Sequence, residues 1–372
     1  MEAVDISSIN SRLGGPSETE LGDWVEAQLA ALGLAAIRQP VPGRSTNVIA
    51  RLEGNGQQVL AFEAHMDTVA ASGQAQTRAV LQEGRIHGRG ACDTKGSLVA
   101  MLEALRLLQA VPASARCTVV LAATVDEEVG ADGVQQLIKD GPRLDLAVVG
   151  EPTGLANGIA HKGLLRFTIR ALGSPAHASK PHLGVNAIYG IAAVLETLQR
   201  DVIPGLSHTE HPLLGIPTLA VTTIRGGVAE NVIPAEATIG IDRRLNPGED
   251  AVGALEGLDA ALASQWPDGI KVVRDEPWFM LPPLETAADH PLVQAMTEAR
   301  RRVLGTEDGV VGLPYGSDGS WLSSSGVPTI VFGPGSIDSA HSDDESVEVA
   351  EVVRAAEILA ELACILGAKE PA

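Results

Sequence analysis

Val59-Leu60-Ala61-Phe62-Glu63-Ala64-His65-Met66-Asp67 begins as an apolar strand and ends in an imidazole and a carboxylate. Residues 59–62 have the unbroken hydrophobicity of a strand covered on both faces. The form recurs along the chain. Residues 117–125 read as a strand that runs into Asp126-Glu127-Glu128, and residues 144–149 as one that runs into Gly150-Glu151-Pro152. Late in the chain residues 328–332 form another, followed by a Gly/Pro turn and Ala340-His341. Residues 96–110 and 130–139 read as helices between the first three. Apolar strands alternating with helices imply an α/β fold, a mostly parallel sheet with helices on both faces.

Outward from this frame, Pro16-Ser17-Glu18-Thr19-Glu20 offers a capping box with Ser17 as cap. Leu21, Trp24, Val25, Leu29 and Leu32 follow at helical spacing, and Gly33 stops the run. The middle of the chain has a different order: strand 165–171, helix 186–198, strands 218–224 and 237–243, helix 250–264, strand 270–274. That β-α-β-β-α-β order is the ferredoxin-like unit. Helices at 291–303 and 347–366 resume the first pattern. The expected organisation is one domain of residues 1–162 and 280–372, with residues 163–279 inserted as a second, and Lys162-Gly163 as the hinge.

The 372 residues carry 47 acidic against 27 basic side chains, a net charge of −20, and only 3% aromatics. A surface of that sign repels phosphate backbones, and so few rings leave no stacking platform for bases, so no nucleic acid is expected. No apolar run reaches the roughly 18 residues of a membrane span. The acidic start, Met1 to Asp5, is unlike a signal peptide. Three scattered cysteines make neither a disulfide framework nor a thiolate metal site. A cytoplasmic protein without membrane partners is expected.

The chemistry gathers at the carboxyl ends of the strands, where open α/β sheets bind ligands. The loop Gly88-Arg89-Gly90-Ala91-Cys92-Asp93-Thr94-Lys95-Gly96 adds an acid ahead of a helix. Taken singly, each piece has a plain explanation: a hydrogen-bonded His-x-Asp, a solvated Glu-Glu turn, a strand-end acid. The glycine loop alone could bind phosphate, but it lacks the lysine-hydroxyl ending of a P-loop and carries Asp93. Together, imidazole and carboxylate groups from five segments suit one or two divalent ions such as zinc, cobalt or manganese. Asp93 is the best bridging carboxylate, because the surrounding glycines let the backbone come close.

In order and spacing these motifs resemble the M20 family of dinuclear zinc amidohydrolases and peptidases, over essentially the whole chain. The matching segments are His65-Met66-Asp67, Gly88 to Gly96, Asp126-Glu127-Glu128, Val149 to Thr153, and Ala340-His341 with Asp344-Glu345. The resemblance implies that His65 and Glu151 hold one metal, Glu128 and His341 the other, and that Asp93 bridges. It makes Asp67 the partner of His65's far nitrogen and Glu127 the general base toward a metal-bridging water. It implies that His177, in Gly173-Ser174-Pro175-Ala176-His177, stabilises the oxyanion from a lid. Asn231 and Arg244 then contact the substrate carboxylate, and Ser317, in Gly316-Ser317-Asp318-Gly319, lies in a substrate loop. Strand alternation puts Arg243 on the face opposite Arg244. Ala70 departs from the proline that many members place there. The implied activity is cleavage of the amide of an N-acyl amino acid by a homodimer with two zinc ions, cobalt or manganese being the substitutes. A metallo-exopeptidase acting on short peptides shares every ligand. A non-catalytic binding protein on the same fold would show a broken ligand set.

Overall fold

The computed structural model describes residues 1–70, 78–263, 266–306 and 309–368. Its contacts divide the chain into two compact units. The first comprises Met1–Ala160, Leu284–Leu313 and Ser317–Ala372; the second comprises His161–Pro283 and Pro314–Gly316.

The first unit is built on a nine-stranded sheet. Its centre is four parallel strands in the spatial order Thr118–Thr124, Val59–His65, Leu146–Val149, Thr329–Val331. Antiparallel strands flank it: Thr46–Leu52 and Ala36–Pro40 on one side, Asn157–His161 on the other. Alternation sorts the central side chains. Leu60, Phe62 and Leu121 face the helices Thr19–Ala31, Lys95–Gln109, Pro291–Leu304 and Val349–Ala368. Ala61, Val120 and Ala147 face Asp132–Asp140 and Gly319–Ser324. Every residue of Val59–His65 and Thr118–Thr124 is buried. A fully enclosed side chain such as Phe62 contributes roughly 1.5–3 kcal/mol. The fold is therefore the expected α/β class, a mainly parallel central sheet with helices on both faces.

The second unit is an antiparallel sheet in the order Thr218–Gly226, Glu236–Leu245, Gly163–Leu172, Lys271–Arg274. With the helices Ala187–Thr197 and Ala251–Leu262 this completes the β-α-β-β-α-β unit. Phe167, Ile169, Ile239 and Ile241 point to those helices, whereas Arg166, Asp242 and Arg244 alternate onto the other face. Ser264, at the end of the helix expected there, lies outside the described residues.

One local expectation is corrected. The first long helix starts at Thr19, with Glu18 as N-cap and no side-chain cap. Ser17 has φ of 76°, its N–H donates to Ile9 O at 3.2 Å, and its hydroxyl is 3.1 Å from Thr19 Oγ1. The chain's entry is set by pairing with residue 9, which turns the Ser17 hydroxyl away from the helix amides. No helix among the described residues is long and apolar enough to cross a membrane.

Candidate metal centre and active site

Each candidate ligand stands at the end of an element of the first unit. His65 closes Val59–His65, and Asp93 precedes Lys95–Gln109. Glu128 follows Thr118–Thr124, Glu151 follows Leu146–Val149, and His341 precedes the short strand Ser346–Glu348. Two glycines let these ends converge. Gly90 has φ of 80°, and a Cβ there would come within 2.8 Å of Thr68 Cγ2. A Cβ on Gly150 would lie 2.7 Å from Ser97 Cβ and hold Glu151's strand off the helix.

The donor atoms form two groups, His65–Asp93–Glu151 and Asp93–Glu128–His341, each with its atoms within 4.8 Å of one another. Asp93 belongs to both. Its Oδ1 is 3.0 Å from His65 Nε2 and its Oδ2 is 3.2 Å from His341 Nε2. Glu151 Oε1 lies 3.6 Å from His65 Nε2, and Glu128 Oε1 lies 3.2 Å from His341 Nε2. Neither group includes Glu127. Asp67 takes the N–H of Glu127 on Oδ1 and that of Glu128 on Oδ2, both at 3.1 Å. His65 Nδ1 is 3.0 Å from the Asp67 carbonyl and 3.4 Å from its Oδ1. The backbone oxygen is thus the nearer partner of that nitrogen, the carboxylate the farther one.

The electrostatics match a site built for cations. Asp93, Glu127, Glu128 and Glu151 surround two imidazoles, and no lysine or arginine among the described residues pairs with any of the four. Burial, then the neighbouring carboxylates, push Glu127 and Glu151 well above the usual carboxylate range. Burial also raises Glu128, against its hydrogen bond with His341. Burial opposes charge on His65 and on Asp93, yet hydrogen bonding wins at both. His65 is raised by Asp67 and Asp93, and Asp93 is lowered by His341 and His65. The bond with Asp93, then that with Glu128, lifts His341 to about 10. Oxygen and nitrogen donors with one carboxylate facing both groups fit two ions of the zinc, cobalt or manganese kind. Cys92 is no ligand: its buried thiol donates to Ser336 O at 3.3 Å.

Several residues that support the site had no role in the sequence analysis. Glu345 takes the N–H groups of Cys92 and Asp93 on Oε1, at 3.0 and 3.1 Å, and Arg89 Nη1 on Oε2 at 2.5 Å. It therefore fixes the loop that presents Asp93. The Thr94 hydroxyl donates to Gly150 O, tying that loop to the residue before Glu151. Beneath His65, Thr124 Oγ1 links the buried carboxyls of Glu63 and Asp318. Burial raises Glu63 to about 7 and Asp318 well above its ordinary value. Glu63 carried a signal: it is the one acid in an apolar strand, two residues before His65 and on the same face.

Ser317 is fully buried, and its hydroxyl accepts from Gly319 N at 3.3 Å. The other three named residues lie in the second unit. His177 is exposed, accepts from Ser179 Oγ at 2.7 Å, and pairs in a two-stranded ladder with Val232, the neighbour of Asn231. Arg243 is buried against Glu249, while Arg244 is half-exposed and donates from Nε to Asp242 Oδ1 at 2.7 Å.

Parallel strands whose ends gather two carboxylate-rich donor groups make a site suited to divalent cations. The chain belongs to peptidase family M20/M25/M40, whose pattern it matches over residues 61–364. It is 33% identical over 344 residues to the acetylornithine deacetylase of Salmonella typhimurium, covering 89% of this chain and 85% of the relative. It is 31% identical over 357 residues to that of Myxococcus xanthus, covering 91% and 90%. Among solved structures, a tripeptidase from Staphylococcus aureus superposes with a TM-score of 0.80 at 20% identity, covering 99% of this chain and 96% of that one. An M20 family metallo-carboxypeptidase from Sulfolobus solfataricus gives 0.78 at 20% identity, covering 98% of each. At such identities the structural likeness speaks to the fold.

Proposed function

We propose that the protein hydrolyses the amide bond of an N-acyl amino acid, in the manner of an acetylornithine deacetylase, with two divalent ions, zinc foremost. The observation that carries this is Asp93, which turns one oxygen to each of two imidazole-bearing donor groups. The resemblance to the two deacetylases over most of both chains supports the substrate class. His65 and Glu151 would hold one ion, Glu128 and His341 the other, with Asp93 shared. When bound, the ions supply Lewis-acid polarisation of the carbonyl and a water acidic enough to react near neutral pH.

The remaining work falls to the protein. Glu127 stands outside both donor groups with its backbone pinned by Asp67, so its carboxylate is free to take the proton of the attacking water. Its raised pKa suits a group that must then hand the proton to the leaving amine. Asp67 keeps His65 in the tautomer that presents Nε2. His177 would neutralise the developing oxyanion, and Asn231, Arg244 and Ser317 would position the substrate, an arginine fork suiting a carboxylate. The second unit would serve as lid and dimerisation module. Its strand Thr218–Gly226 lies at the sheet edge with Val221 and Ile224 exposed, a surface a second copy could cover. The three cysteines are free thiols, as suits a reducing cytoplasm.

The test is hydrolysis of N-acetylornithine, N-succinyl-diaminopimelate, other N-acetyl amino acids and dipeptides by the zinc-loaded protein, with a chelator-treated control. Chelator-sensitive release of an acyl group is expected, and Glu127→Gln should lower kcat by about 10²–10⁴-fold. Preference for dipeptides would overturn the deacylase assignment. Turnover that survives both the chelator and Glu127→Gln would overturn the mechanism.

A further inference from the structure

Outside the matched span of the family pattern, at residues 61–364, the segment Ser8–Arg12 reaches the supports of the metal centre. Ile9 pairs in parallel with Thr68, and Asn10 N donates to Thr68 O at 3.0 Å. This docking carries Asn10, fully buried, between two carboxylates that are themselves fully buried, Asp67 and Asp126. Its Nδ2 donates to Asp67 Oδ2 at 2.8 Å and to Asp126 Oδ1 at 3.0 Å. Its Oδ1 accepts from Arg12 N at 2.9 Å, which orients the amide with nitrogen toward the acids. Arg12 Nη1 then holds the other oxygen of Asp126 at 3.1 Å.

The position of this amide sets what it can do. Asp67 accepts the backbone N–H groups of Glu127 and Glu128, and Asp126 is the residue just before them, held at φ of 69°. One amide therefore ties the end of the His65 strand to the turn that carries the candidate base and a candidate ligand. It also gives two close buried acids a shared donor, beside the ion pairs that Arg12 and Arg44 make with Asp126 Oδ2 at 3.1 and 3.2 Å.

We infer that Asn10 is a positioning residue for the reaction, bracing the Glu127-Glu128 turn so that the Asp93–Glu128–His341 group keeps its ion and Glu127 its aim. This rests on the function proposed above. Asn10→Asp preserves shape but puts a third carboxylate between the two acids; Asn10→Ala removes the donors without adding charge. Arg12→Gln, at a side chain 41% exposed, loosens one of two outer ties on Asp126 Oδ2, the other being Arg44 Nε at 3.2 Å.

The experiment titrates the metal-free full-length variants with zinc against a competing chelator, records the cobalt(II) absorption spectrum, and measures kcat and KM. Folding is checked by circular dichroism. One of the two zinc ions should bind about 10–100-fold more weakly in the Asn10 variants, with kcat lowered by a similar factor and KM nearly unchanged. Arg12→Gln should show a severalfold effect of the same kind. Folded Asn10 variants with wild-type zinc affinities, spectrum and kcat would overturn the inference. If they do not fold, an Arg12→Gln, Arg44→Gln double variant with unchanged zinc affinities, spectrum and kcat would overturn it. A wild type that binds two zinc ions and is silenced by Glu127→Gln, with unaffected Asn10 variants, would sink this inference alone. A wild type that binds no zinc would sink the proposed function with it.

Discussion

Arg89→Met should destabilise the metal-free protein severely; it replaces none of the five ligands, though it gives up the contact of Arg89 Nη2 with His341 O at 3.5 Å. Arg89 and Glu345 form an ion pair at 2.5 Å with side chains only 7% and 2% exposed, so water can replace neither partner. Methionine fills much of the arginine's volume but leaves the Glu345 carboxylate buried with only the Cys92 and Asp93 amides as donors. Stranding one charge of such a pair costs about 3–5 kcal/mol. At about 2–4 °C per kcal/mol for a domain of this size, the thermal midpoint should fall by roughly 6–20 °C. Calorimetry of chelator-treated protein is the assay, because bound metal would mask the loss through linkage. Adding Glu345→Gln to Arg89→Met removes the stranded charge, keeps an oxygen for the two amides, and should recover a large part of the deficit. A midpoint within 2 °C of wild type for Arg89→Met, or a double variant no better than the single, would refute the reasoning.

Two further outcomes follow from the donor groups. Asp93→Asn leaves one oxygen where two now face separate imidazoles, so zinc stoichiometry after dialysis should drop from about two to about one; retention of two tight ions would count against a bridging Asp93. Zinc affinity should rise with pH through the neutral range, because His65 and His341, the latter at about 10, hold protons in the metal-free site that binding must displace. Calorimetry in buffers of different ionisation enthalpy should show proton release, and equal heats in all buffers would contradict it.

The sequence made the framework legible wherever one local pattern determined the outcome. The strands at 59–65, 118–124 and 146–149 are covered on both faces, so their hydrophobicity is continuous and their ends stand out as abrupt acids and imidazoles. Thr46–Leu52 was not foreseen: its apolar run is broken by Asn47 and Arg51, and it becomes a strand by pairing with Thr118–Thr124, some seventy positions away. The failed cap at Ser17 has a similar origin, since Ile9 fixes a backbone that the local motif would have placed otherwise. At the site, the residue types and spacing exposed the ligands. Their supports, Asn10, Arg89, Glu63 and Asp318, gain meaning only when distant segments meet.

The donor groups also differ in when the chain can complete them. His65, Asp93 and Glu151 all precede the second unit, so one group can close on a nascent chain that has not yet made it. The other waits for His341, and at about 5–20 residues per second that delay is roughly 10–40 s. Through that interval the sheet is unfinished as well, for Thr329–Val331 must slip between Leu146–Val149 and Asn157–His161. Synthesis thus imposes an order of assembly, in which the last strand to join the large sheet, Thr329–Val331, is followed about ten residues later by the last ligand, His341.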